Sequence, residues 1–163
     1  MKTLLRTLLF LSLVVWLGAE IFFPIVAAVT FTTLAPNTHA AGSIVGQLLR
    51  ILHGMGLVAG MVAFSVLAMA PALGIYKPRA VLAPIALLNV MILATAYSQV
   101  SIIPAMDRDR AAAGGAIDTT DITNPTTIDF NTLHRRSVFV EESVLVLGLA
   151  TVVLVAWAET SRP

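Results

Sequence analysis

Residues 42–73 read GSIVGQLLRILHGMGLVAGMVAFSVLAMAPAL, and over that length only Arg50 and His53 can carry a charge. A helix rises 1.5 Å per residue, so about 20 residues cross a hydrocarbon layer of ~30 Å. The stretch is long enough to span a bilayer. Working outward from it, three further segments have the same character, so that spans are expected at about 4–34, 42–73, 79–112 and 127–158. Pro36 and Asn37 break the first connection, and GIYKPR (74–79) breaks the second, with Gly74 as helix stop and Pro78 as helix start. The third connection, 113–125, is a polar loop rich in Gly, Thr and Asp, too poor in apolar residues to pack a core. Thr126 followed by Asp129 predicts a capping-box start for the fourth helix.

Composition agrees with this reading. The 163 residues are 58% hydrophobic and 12% charged, against roughly a quarter charged in soluble domains. A formal charge of +1 gives no basic face of the kind nucleic acid requires. There are no cysteines, which excludes disulfides, thiolate metal sites and cysteine nucleophiles. The N-terminus, MKTLLRTLLFLSLVVWLGAE, imitates a secretory signal, but apolar sequence resumes after Glu20 and runs to about Val29, so it reads as a retained first span.

Short connections make successive helices antiparallel neighbours, and the expected fold is an all-α, up-down four-helix transmembrane bundle forming a single domain. Gly42, Gly46, Gly54, Gly56 and Gly60 on the second span are candidates for close helix packing. Lys2, Arg6, Lys77, Arg79 and Arg162 fall on one side, against Arg108, Arg110, Arg135 and Arg136 on the other. Five against four places both termini in the cytoplasm, and the expected location is a bacterial inner membrane.

Arg50 and His53 gain meaning from their depth. With the first span entering near Thr7, Glu20 lies about 20 Å along it; Arg50 and His53 lie roughly 12 and 16 Å into the second span. Tyr97, Gln99 and Ser101 approach the same level on the third helix, and Glu141 and Glu142 on the fourth. Charged groups in the bilayer are costly and seek interior partners, so Arg50 is expected to pair with Glu20 and with one of Glu141 and Glu142. Gln47, Arg50 and His53, at i, i+3 and i+6, are expected to form one stripe. Glu141 and Glu142 diverge by about 100° around a helix, so only one faces inward. The cluster Glu20, Gln47, Arg50, His53, Tyr97, Gln99, Glu141 and Glu142 either fixes helix register or forms a binding or relay site.

His53 and His134 are the possible ligands for haem, a chlorophyll-type pigment or copper, but a bis-histidine site needs matched depth, and His134 falls about three turns shallower. No resident cofactor and no metal site are expected. No phosphate loop, zinc-protease motif or nucleophile pair is present, so no catalytic residue is assigned.

WLGAEIFFPIVAAVTF (16–31), AAGSIVGQLLRIL (40–52), IIPAMDRDR (102–110) and FNTLHRRSV (130–138) together resemble landmarks of the domain of unknown function 4149 family, similar to transmembrane protein 205. More distant likenesses are copper-resistance-D-type permeases and HemJ-type oxidases. The resemblance implies a membrane helix bundle, with a haem or metal connection among the distant look-alikes. Where it implies an amide about seven residues after His134, this chain has Glu141 and Glu142. The expected role is a non-enzymatic scaffold or accessory subunit of a larger respiratory, photosynthetic or transport complex. Its partners would be membrane lipids and other integral subunits or further copies of itself. The alternative is a haem- or metal-handling permease or oxidase.

Overall fold

The computed structural model describes residues 1–115, 117 and 121–160. Every regular element among them is helical: α1 (Lys2–Thr33), α2 (Thr38–Met69), α3 (Pro78–Tyr97), a π-helical turn (Ser98–Ile102), α4 (Ile103–Ala112) and α5 (Pro125–Thr160). The third span is composite, since α3, the π turn and α4 run on as one rod from Pro78 to Ala112. The four rods are each long and apolar enough to cross a membrane. The chain is an all-α four-helix bundle and a multi-pass membrane protein.

Helix ends follow local chemistry. Asn37 caps α2, its side-chain oxygen accepting from the Ala40 N–H at 3.0 Å, which answers one of the donors every helix start leaves open. Gly74 takes φ +62°, a left-handed value that turns the chain after α2, and Pro78 opens α3. Three boundaries differ from expectation, the first being that α2 begins at Thr38, four residues before 42. α2 stops at Met69, short of 73, as the chain turns through Pro71. At α5 the residue serving the helix start is Asn124, which accepts from the Thr126 N–H at 2.9 Å, where a Thr126 capping box was expected. Of the polar loop expected at 113–125, residues 116 and 118–120 lie outside the described residues.

The bundle is packed differently in its two halves. α1 packs most extensively on α2, and α3 on α5, whereas α1 and α5 meet sparingly. In the half nearer the termini, Leu9, Leu13, Trp16, Leu67, Leu88, Met91, Val144 and Val155 form a dense apolar core. Trp16 lies flat on α2 over Gly56 and Gly60: a Cβ on Gly56 would stand 2.5 Å from its indole nitrogen. Those two glycines therefore admit the ring, as small residues do at close membrane-helix crossings. Gly46 and Gly54, from the same set of packing candidates, meet nothing within 4 Å.

At the termini the core is closed by a polar clamp. Arg6 pairs with Glu159, with Nε donating to Oε1 at 2.8 Å, and Tyr76 donates to the same carboxylate. Lys2 donates to the Gly74 carbonyl at 3.0 Å. These contacts join α1, α5 and the turn between α2 and α3. The other half, towards the 34–37 and α4–α5 connections, is hollow.

Candidate functional site: a cavity over buried acids

Where α1 and α5 part, a cavity of about 720 Å³ opens among α1, α2, α4 and α5. That volume is within the range of about 300–1,000 Å³ common to small-molecule sites. Its walls are apolar, including Phe23, Ala27, Val45, Leu49, Val138 and Leu145. The deep end holds Glu20 and Glu141; the mouth carries His39, Arg110, Phe130 and His134. Gly46 lines it too, and the absent side chain leaves open space there.

The polar floor is assembled from four helices. His53 is fully buried on α2, its Nδ1 3.0 Å from Gln99 Oε1 and its Nε2 2.8 Å from Glu141 Oε1. Ser98 donates to that Glu141 oxygen at 3.3 Å. Trp16 Nε1 donates to Glu20 Oε1 at 3.1 Å. A neutral imidazole has one proton and one lone pair, so a single proton can be held on either side of the His53–Glu141 contact. The second oxygen of Glu141, Oε2, is buried and has no hydrogen-bond partner.

The π turn positions the third helix's share. The Ile103 N–H reaches back five residues to the Ser98 carbonyl. Pro104, one residue on, has no N–H with which to continue the α ladder from Val100. Ser98 and Gln99, adjacent in sequence, are both brought to the His53–Glu141 pair. Such turns recur inside α-helices at functional sites.

The structure thus unites Glu20, His53, Gln99 and Glu141 from the expected cluster and adds Trp16 and Ser98. The others part from it. Arg50 is paired with Asp107 on α4, so its expected partnership with Glu20 and with one of Glu141 and Glu142 is corrected. It stands one turn nearer the helix end than His53, and its long side chain extends to meet a half-exposed carboxylate there. Gln47 is exposed. The stripe fails for a geometric reason: each step of three residues falls about 60° short of a full turn, so i+6 drifts by about 120°. Tyr97 is 49% exposed on the outer face of α3. Glu141 faces inward while Glu142 is exposed at the cavity wall, the divergence expected of adjacent positions.

His134 is exposed, its ring stacked on Phe130 at 6.4 Å between centroids. Arg110 lies over the same Phe130 ring, 5.3 Å from its centre. Both ring nitrogens of His53 are engaged, so an axial bond to a haem, pigment or copper would have to displace Gln99 or Glu141.

The terminal clamp escaped sequence reasoning, which counted Arg6 for topology and passed over Glu159 and Tyr76. The available signal was opposite charge in the first turn of the first span and the last turn of the fourth, at one end of the bundle. Comparison with known proteins adds no relative: no family model, curated protein or solved structure matches the chain.

Proposed function

We propose that this is a membrane-embedded binding protein, non-enzymatic, whose cavity takes a hydrophobic small molecule. The bundle fold implied by the resemblance to the domain of unknown function 4149 family accords with this reading. One observation carries it: a membrane bundle, packed tightly in one half, keeps in the other half a space of about 720 Å³ lined at its deep end by Glu20 and Glu141, and one oxygen of Glu141 is buried without a hydrogen-bond partner. A buried acceptor left unpaired costs about 1–3 kcal/mol or more if charged. A bundle that merely fixed helix register would gain by filling that space with side chains.

The test uses the full chain in phosphatidylcholine nanodiscs and a decanol bearing a photoreactive diazirine. Labelling of Leu49, Val138 and Leu145 is expected to saturate, while lipid-facing Val58, Leu93 and Val153 label in proportion to concentration. Gly46→Phe projects a ring into the open space and should cut the saturable labelling by about tenfold, as steric exclusion of a bound chain requires. Labelling of the cavity wall that never saturates, or that survives Gly46→Phe, refutes a ligand site.

Membership of a larger complex as an accessory subunit has separate support. α5 and the composite third rod, 36 and 35 residues long, reach about 54 and 52 Å at the helical rise, well beyond ~30 Å of hydrocarbon. Their ends and the polar connection therefore offer a surface outside the lipid, on the non-cytoplasmic side if both termini are cytoplasmic. Deleting residues 113–123 should leave the bundle inserted while ending co-purification with partner subunits.

A further inference from the structure

The deep end of the cavity is built of acceptors. Glu141 Oε2 lacks a partner, and Pro24 has no N–H to give the Glu20 carbonyl one turn behind it. Glu20 and Glu141 are two acids, and among the described residues the side chain at the floor able to carry a compensating positive charge is His53. Arg50, the cation nearest in sequence, is committed to Asp107, which Arg110 also approaches to 3.7 Å. In their ionised forms the three floor groups therefore sum to one unmatched negative charge. A second buried group without a partner belongs to a lining residue: Thr127 is 5% exposed, and its hydroxyl has no hydrogen-bond partner. From Thr127 to Glu141 is 14 residues of α5, or about 21 Å, so the space is long as well as apolar.

Resting on the binding reading above, we infer that the cavity takes an elongated hydrophobic amine, its ammonium group donating to Glu141 and Glu20 at the floor and its apolar body lying between Phe23, Leu49 and Leu145. The ammonium supplies three donors to a floor that has acceptors to spare, and it cancels the unmatched charge. α1 and α5 meet sparingly, and the route this assignment requires for the apolar body is from the lipid between them, away from the cations of the mouth. The competing ligand is an anionic amphiphile held by Arg110, His134 and His39. Its tail would bring no donor to Glu141 and leave Oε2 as unsatisfied as before.

Three photoreactive ten-carbon probes, identical but for a terminal ammonium, hydroxyl or carboxylate, separate these cases in phosphatidylcholine nanodiscs containing the full chain. The ammonium probe is expected to half-saturate cavity-wall labelling at a concentration about tenfold or more below the alcohol, the gain of one charge-assisted contact. Glu141→Gln and Glu20→Gln should each remove most of that preference and leave the alcohol within about threefold. Gln47→Ala, outside the cavity, should alter none of the three. Equal labelling by ammonium and alcohol, or stronger labelling by the carboxylate, overturns the amine assignment while leaving the site. Absence of saturable labelling by every probe overturns the site itself. Circular dichroism and thermal transitions verify each variant's fold; should Glu141→Gln not fold, the wild-type ratio of ammonium to alcohol and the Glu20→Gln variant decide.

Discussion

Two chemically identical substitutions on α2 should have opposite effects, and the difference reads out how α1 is held. Gly56→Ala places a methyl 2.5 Å from the indole nitrogen of Trp16 and 2.9 Å from two of its ring carbons. Trp16 is 1% exposed and donates to Glu20, so it has little room to yield. Overpacking of this kind costs typically ~1–3 kcal/mol. Gly46→Ala meets nothing within 4 Å, and the greater helix preference of alanine is worth up to about 1 kcal/mol in either variant. Gly56→Ala is therefore expected to be less stable than Gly46→Ala by about 1–3 kcal/mol, with Gly46→Ala at or slightly above the parent. Unfolding equilibria in mixed micelles, followed by circular dichroism, measure the gap. Indole fluorescence should shift in Gly56→Ala alone if the ring is pushed towards Glu20. Equal stability of the two variants would falsify the close approach of Trp16 to α2 and, with it, the registration that brings Glu20 to the cavity floor.

Arg50→Leu should be rescued by Asp107→Asn and not by Glu20→Gln, because the arginine's partner is on α4. Each side chain of the pair is more than a third exposed, so a double-mutant cycle should return only about 0–1 kcal/mol; coupling to Glu20 instead would move Arg50 back into the cluster. Glu159→Gln leaves Arg6 without its carboxylate where α1, α5 and Tyr76 converge, and a hydrogen bond to a charged group is worth about 1.5–3 kcal/mol. Proteolysis and amide exchange should rise at both helix ends there, with Arg6→Met, Glu159→Met recovering part of the loss, as apolar replacement of a whole pair often does; protection unchanged in Glu159→Gln would show that the clamp holds nothing.

Helix number, order and approximate limits were legible because each rests on one-dimensional quantities: runs of apolar residues, their length against the bilayer, and Pro, Asn and Gly at the breaks. Partner choice was not. Depth along a helix was enough to group Glu20, His53, Gln99 and Glu141, which the structure also brings together, since rise per residue is nearly constant. Angle around the helix accumulates error faster, which is how Gln47 came to be assigned to a face it does not occupy. Arg50 failed for a different reason: a long cationic side chain can satisfy itself several ångströms along the axis from its Cα, so its level in the sequence does not fix the level of its charge. Ser98 went unassigned because an ideal α-helix was assumed through 98–102. Its only sequence trace was a polar pair followed by Pro104.

The division of the bundle into a dry half and a hollow half connects these particulars. Trp16 closes the apolar core against Gly56 and Gly60, and one turn further its indole N–H holds Glu20 at the boundary of the cavity. Beyond that boundary the features that normally fill or seal a membrane bundle are each replaced by something open. Gly46 puts no side chain into the space, Pro24 withdraws a donor from the backbone of α1, and the π turn gives up an α-helical register to bring Ser98 to Glu141 and Gln99 to His53. Meanwhile the clamp of Arg6, Glu159 and Tyr76 draws together at the termini the same two helices, α1 and α5, whose separation makes the cavity at the other end. The terminal contacts thus set how far those helices can diverge. Loosening them should widen the gap through which a ligand enters from the lipid before it alters the acids that receive it.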